Sequence, residues 1–146
     1  MYKNNEGYFD PTAGIAMGQI MKEYKKERRE IWQRQTELKE RKKVYIVSRY
    51  AGDIENNVAS AICYCRFAIE KKKMPIAAHL LYPQIVDDGN PGEREIGMMY
   101  GLALLAICDE VWCFGKELSQ GMELEINEAK RLGKPIKYFN EEAVIC

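Results

Sequence analysis

The chain has 146 residues, 47% of them hydrophobic, which is enough for one compact domain with its own core and too short for a comfortable second one. Its 22 basic and 22 acidic residues cancel, so no net field draws the whole molecule to a nucleic acid or an anionic membrane. No apolar run reaches the roughly 18 residues that a membrane span requires, and five cysteines with no secretory segment beside them point to a cytoplasmic, reducing setting instead of a disulfide scaffold.

Residues 1–9, MYKNNEGYF, read as a polar arm with three aromatics. Asp10-Pro11 then resembles a helix start, because the Asp side chain can accept orphan amide protons and Pro at the first helical position forfeits no intrahelical bond. Met17, Met21, Tyr24, Ile31 and Leu38 recur at a spacing near 3.5, interrupted by Arg28 and Gln35. That pattern predicts one long helix or two, laid across the domain or paired with another subunit. Residues 22–43 hold ten basic and five acidic residues. A solvated face is the favoured reading of that charge, and nucleic-acid binding is the weaker alternative. Residues 1–43 are therefore expected to be an arm and helical extension ahead of a domain spanning 44–146.

VYIVS, residues 44–48, reads as a buried strand, followed by the loop RYAGD, residues 49–53. A helical pattern follows through VASAICYCRFAIEKKK, with Val58, Ile62, Cys65 and Ile69 on one face and Asp53 as its cap. MPIAAHLLY, residues 74–82, predicts a second strand, and the loop after it holds Asp87, Asp88, Gly89, Pro91 and Gly92. A helix over about 93–107, a strand over 108–115, a helix over about 121–132 capped by Gly133, and a strand over 135–139 complete the chain. Strand and helix thus alternate from residue 44 onward, which predicts an α/β fold with a mainly parallel sheet of four or five strands and helices on both faces.

In such sheets the ligand crevice lies beyond the carboxyl ends of the strands, which selects residues 48–53, 79–88 and 115–125. The first of these loops is not GxGxxG, so a nicotinamide cofactor has little support. It does set Ser48, Arg49 and the pair Ala51-Gly52 ahead of a helix N-terminus, an arrangement suited to an anion or to sugar hydroxyls, or equally to a plain βα turn. His79 ends a strand as either a base or a structural hydrogen-bonding residue. Tyr82 can stack on a ring or fill the apolar layer, and Asp87 and Asp88 sit where local turn caps are common. His79 is the only histidine, and Cys63 and Cys65 are too close for CxxC, so no metal site and no cofactor are expected. The cysteines read as small buried hydrophobes.

GMELEINEAKRLGKP, residues 121–135, places Glu123 and Glu125 at the start of a helix, where the dipole favours negative charge. Two residues apart, they cannot share a face. Glu125, Ala129 and Gly133 do share one, with small residues that allow close approach to the sheet, so Glu125 is the better inward carboxylate, although charged decoration of a surface helix is at least as ordinary a reading of these residue types.

That stretch, with CDEVWCFG and SRYAGDIENNV, resembles the nucleoside 2-deoxyribosyltransferase superfamily, particularly its small, often phage-linked branch; the resemblance covers about residues 44–139. It implies a Rossmann-like (flavodoxin-like) fold and cleavage or exchange of the N-glycosidic bond of a nucleoside or nucleotide, with a dimer or larger assembly. It further implies that Glu125 is the nucleophile, and that Ser48, Arg49 and Gly52 touch sugar or a 5′-phosphate. Asp109 matches the Asp that opens the third strand, and Ser119 with Gly121 lies where the loop meets substrate. The family's further Asp, about two helical turns before position 109, is replaced by Gly101, which leaves protonation of the departing base to His79, Asp87, Asp88 or another subunit. A non-catalytic nucleotide-binding protein is the alternative on the same fold.

Overall fold

The computed structural model describes residues 11–144 and 146; the expected aromatic arm and the Asp10 cap lie outside the described residues. The chain falls into two units divided after Glu40. The first contains α1 (Pro11–Glu40), a single uninterrupted helix. The second runs from Arg41 and contains the alternating elements.

Those elements are β1 (Lys43–Val47), α2 (Ile54–Glu70), β2 (Met74–Ile76), α3 (Pro91–Ala106), β3 (Glu110–Phe114), α4 (Gln120–Arg131) and β4 (Ile136–Phe139), with short 3-10 turns at Ala78–Leu80, Tyr82–Gln84 and Glu141–Ala143. The strands form one parallel sheet in the order β2-β1-β3-β4. Alternate residues of the central strands face opposite sides. Tyr45, Val47, Val111 and Cys113 pack against Leu105 of α3 and Met122, Ile126 and Ala129 of α4. Val44, Ile46, Trp112 and Phe114 pack against Tyr64 and Ala68 of α2. Both faces of β1 and β3 are thereby dry, which explains why VYIV and EVWCF carry apolar runs instead of simple alternation. The fold is the Rossmann-like, flavodoxin-like α/β arrangement expected from the sequence.

Local signals set the helix starts. Asp53 caps α2 by accepting from the Asn56 amide at 3.4 Å, Asn90 caps α3 ahead of Pro91, and Ser119 caps α4 by accepting from the Met122 amide at 3.3 Å. Gly133, at φ +68°, closes α4, with its own amide bonded to Lys130 and the Lys134 amide to Ala129. It has nothing near its missing Cβ, so its role is the left-handed turn and the close approach to the sheet belongs to buried Ala129.

β2 is much shorter than the expected 74–82. It pairs with β1 only as far as Ile76, after which the backbone tightens into consecutive 3-10 turns, with Leu80 N bonded to Ala77 O and Leu81 N to Ala78 O. Pro83 sits at the start of the second turn and brings no amide to extend a ladder. This coiling turns the 78–88 segment across the sheet end, which is what places His79.

The cysteines also depart from expectation. Cys63 of α2 is bonded to Cys146, 83 residues away, while Cys65, Cys108 and Cys113 are free and the last two are buried. Closing so long a loop restricts the unfolded chain, an effect of roughly 2–4 kcal/mol. Cys63→Ser should therefore lower the thermal midpoint under non-reducing conditions, and a reductant should lower that of the unmodified chain while leaving the variant unmoved. Equal midpoints for the two chains without reductant would remove this crosslink from the account of stability.

Candidate active site

Beyond the carboxyl ends of β1 and β3 the α/β unit encloses a cavity of about 310 Å³. The strand order makes this the switch point of the sheet: the chain leaves β1 toward β2 on one side and returns past it to β3 on the other, so the loops part and leave a crevice. Ser48, Tyr50 and Ala51 contribute from the first loop, His79 and Tyr82 from the 3-10 turns, and Asp88 from the loop that follows. Arg94, Gly97, Met98 and Gly101 line it from α3, and Ser119 to Met122 with Glu125 close it from α4.

Glu125 is strongly perturbed by this setting. Its Oε2 is buried with no hydrogen-bond partner among the described residues. Burial raises the carboxyl pKa from 4.5 to about 7, against a hydrogen bond from the Tyr45 hydroxyl that lowers it. Tyr45 lies on the dry β1 strand, 1% exposed, and burial followed by the Glu125 charge pushes its phenol far above the usual range, so it remains a donor. The cavity thus presents a carboxyl that titrates near neutrality, with the Tyr45 phenol lowering and burial raising its pKa, and with Oε2 unpartnered among the described residues.

Opposite chemistry governs His79. Burial drives its pKa down to about 4, so the imidazole is neutral at physiological pH. Its Nε2 lies 3.0 Å from Ser48 Oγ, an interaction between a hydroxyl and a neutral ring that either tautomer can satisfy. The Tyr50 ring stands beside it with centroids 6.1 Å apart. Burial, and then the Asp88 charge, raise the Tyr50 phenol, and both residues line the cavity.

Among the residues singled out from the sequence, Ser48, His79, Tyr82, Asp88, Ser119, Gly121 and Glu125 all line the cavity. Arg49, Gly52 and Asp109 do not. Gly52 provides a turn at φ +99°. Asp109 lies at the amino end of β3, away from the cavity, where its Oδ2 accepts from the Lys43 amide at 2.7 Å and ties the starts of β1 and β3 together. Asp87 accepts from the Gly89 amide at 2.9 Å, the local turn role weighed for it. Ser119 both caps α4 and faces the cavity, which is why a loop residue there holds a fixed position.

Tyr45, Tyr50 and Arg94 are among the lining residues not singled out from the sequence. Tyr45 is hidden in an aliphatic strand, where a tyrosine looks like filler; the hydroxyl on an otherwise dry run was the available signal. Tyr50 sits in the first loop without a motif. Arg94 is the sole cation among the described cavity-lining residues, and one turn into a surface helix it has no distinguishing spacing. Gly101 leaves space where a Cβ would come within 3.4 Å of both Ala78 Cβ and the Tyr45 hydroxyl. No group of three His, Cys, Asp or Glu among the described residues is placed to hold a metal ion, and no helix among them is long and apolar enough to cross a membrane.

Residues 42–139 match the family model described as "Domain of unknown function (DUF7768)". The chain belongs to that family. No curated protein matches it. Among solved structures it is similar to the 2-deoxyribosyltransferase from the psychrotolerant bacterium Bacillus psychrosaccharolyticus, with a TM-score of 0.57 at 15% identity over 71% of this chain and 76% of that one. It is also similar to the 2-desoxiribosyltransferase from Leishmania mexicana, with a TM-score of 0.51 at 19% identity over 68% of this chain and 64% of that one. At these identities the shared property is the fold.

The Glu125 shift has a thermodynamic consequence. Because the folded state holds this proton more tightly than the unfolded chain, folding stability falls as pH rises from about 4.5 to about 7. The shift corresponds to about 3 kcal/mol of lost stability at higher pH. Glu125→Gln, neutral at every pH, should be more stable than the unmodified chain at pH 8 and close to it at pH 4. Denaturant titrations at the two pH values check this, and a variant no more stable at pH 8 contradicts the buried-carboxyl account.

Proposed function

We propose that the cavity binds a nucleoside or nucleoside 5′-monophosphate and that Glu125 cleaves or transfers its N-glycosidic bond. The supporting observation is the Glu125 carboxyl itself: its Oε2 is buried and unpartnered among the described residues, and its pKa is raised by burial, in a cavity at the switch point of a fold shared with 2-deoxyribosyltransferases.

A carboxylate suits this reaction, because it stabilises oxocarbenium-like charge and can capture it. A Glu125 oxygen bonds to the anomeric carbon as the carbon–nitrogen bond breaks, and that electron pair leaves on the base nitrogen, which takes a proton. Water or a second base then attacks the anomeric carbon and releases Glu125. Ser48 and neutral His79 position sugar hydroxyls or the base by hydrogen bonding. Asp88, which lines the cavity, is the group proposed to serve the departing base. Tyr82 and Tyr50 supply flat apolar surface for a ring, and Ser119 and Gly121 border the sugar. Arg94 is proposed to meet a phosphate in the role expected of Arg49, because it lines the cavity and Arg49 does not.

Gly101 favours a second reading. The superfamily resemblance places an Asp there, and its absence suits a protein that binds the same ligand without turnover.

Incubation with a panel of nucleosides and 5′-monophosphates, with and without acceptor base, followed by chromatography, distinguishes the two. Released or exchanged base is expected, reduced at least about a thousandfold in Glu125→Ala while ligand binding persists. Saturable binding without turnover across the panel supports the second reading, and full activity in Glu125→Ala eliminates the nucleophile. The pH profile offers a further check. Attack requires ionised Glu125, so the rate should rise with pH through about 7. Tyr45→Phe removes the hydrogen bond that lowers this pKa and should move the rising limb to higher pH; an unmoved limb would separate Tyr45 from the titration.

A further inference from the structure

Every residue of α1 from Ile15 to Glu40 is exposed, including Met17, Met21, Tyr24, Ile31 and Leu38 of the apolar stripe and Ile20 and Trp32 beside it. A helix of 30 residues is about 45 Å long. Helices in water draw most of their stability from packing an apolar face. The spacing of the stripe alternates steps of four and three residues through Met17, Met21, Tyr24, Arg28, Ile31, Gln35 and Leu38, the seam of a two-stranded coiled coil.

Charge decides what fits this seam. In heptad terms Met21, Arg28 and Gln35 occupy a positions and Met17, Tyr24, Ile31 and Leu38 occupy d positions. Lys25, Trp32 and Lys39 flank on the e side, and Ile20, Glu27 and Arg34 on the g side. Parallel pairing of two copies sets Arg34 against Lys39 of the second copy, like against like. Antiparallel pairing centred on Lys26 sets Glu27 against its own equivalent and Lys25 against its own, and pairing centred on Gln33 sets Arg34 against Arg34. Antiparallel pairing centred between Arg29 and Glu30 does the reverse. Glu27 faces Arg34 of the second copy twice by symmetry, and Lys25 flanks Trp32 of the second copy twice, a cation against an aromatic face.

We propose that α1 is a self-association helix, pairing antiparallel with α1 of a second copy of this chain in the register centred between Arg29 and Glu30. Met21 then packs against Leu38 of the second copy, Arg28 against Ile31 and Tyr24 against Gln35. Arg28 already donates to the Tyr24 hydroxyl at 3.1 Å and lies over that ring, so its charge is turned along the seam while its stem covers apolar surface. Gln35 reaches the Tyr24 hydroxyl of the second copy. These polar layers trade stability for a single register, and the competing registers are disfavoured by repulsion.

Sedimentation equilibrium of the full chain tests this with E27R, R34E and E27R/R34E. Each single change turns two facing pairs repulsive and should weaken the dimer about tenfold or more, whereas the double change restores opposite charges and should return the dissociation constant to within about threefold. Circular dichroism of each variant verifies that α1 stays helical. The proposal is overturned by a chain that remains monomeric at about 100 µM, by single variants that associate as the unmodified chain does, or by a double variant that stays as weak as the singles. A disulfide-linked dimer formed by oxidised L38C, and not by the unmodified chain, would overturn the antiparallel orientation.

Discussion

Poor solvation of one carboxyl group sets the conditions for the rest of the α/β unit. Glu125 projects from α4 into the cavity, where its buried Oε2 has no hydrogen-bond partner among the described residues, and the phenol that lowers its pKa stands on the central strand β1. Holding Tyr45 there requires β1 to be dry on both faces, which requires α2 on one side and α3 with α4 on the other. The packing that builds the core is therefore also what keeps Glu125 largely protonated below neutrality and Tyr45 protonated throughout.

The same low-polarity environment divides the titrating groups of the cavity. Desolvation raises Glu125 and lowers His79, so around neutral pH both are near or in their uncharged forms. A pair of this kind can be ionised selectively by what binds. A ligand bringing positive charge near Glu125, as an oxocarbenium-like sugar does, favours the carboxylate at the moment the proposed reaction needs it. The proposed role of His79 is confined to hydrogen bonding for the same reason.

Much of this architecture is visible in the residue pattern. β1, β3 and α4 stand within a residue or two of their expected bounds, because their signals are local: β-branched and aromatic runs, a Ser cap, a Gly stop. Where long-range geometry decides, the pattern falls short. The 74–82 stretch looks like a strand by composition, but β1 offers it a ladder only to Ile76, so its remainder coils and carries His79 into the cavity. Asp109 and Glu125 both look like candidate acids in one dimension; they lie toward opposite ends of the sheet, and only Glu125 reaches the crevice.

The sequence by itself determined the alternation of strands and helices, the parallel sheet that alternation demands, and the inward face of α4, since each follows from periodicities and caps that neighbouring residues set. Tertiary structure alone decided that Ser48 meets His79, that Tyr45 meets Glu125, and that Cys63 joins Cys146. Each of those contacts joins segments far apart in the chain, and the strand order brings them together. The raised pKa of Glu125 belongs to the same class, because desolvation is imposed by all the elements that enclose a group and has no signature in the residues beside it.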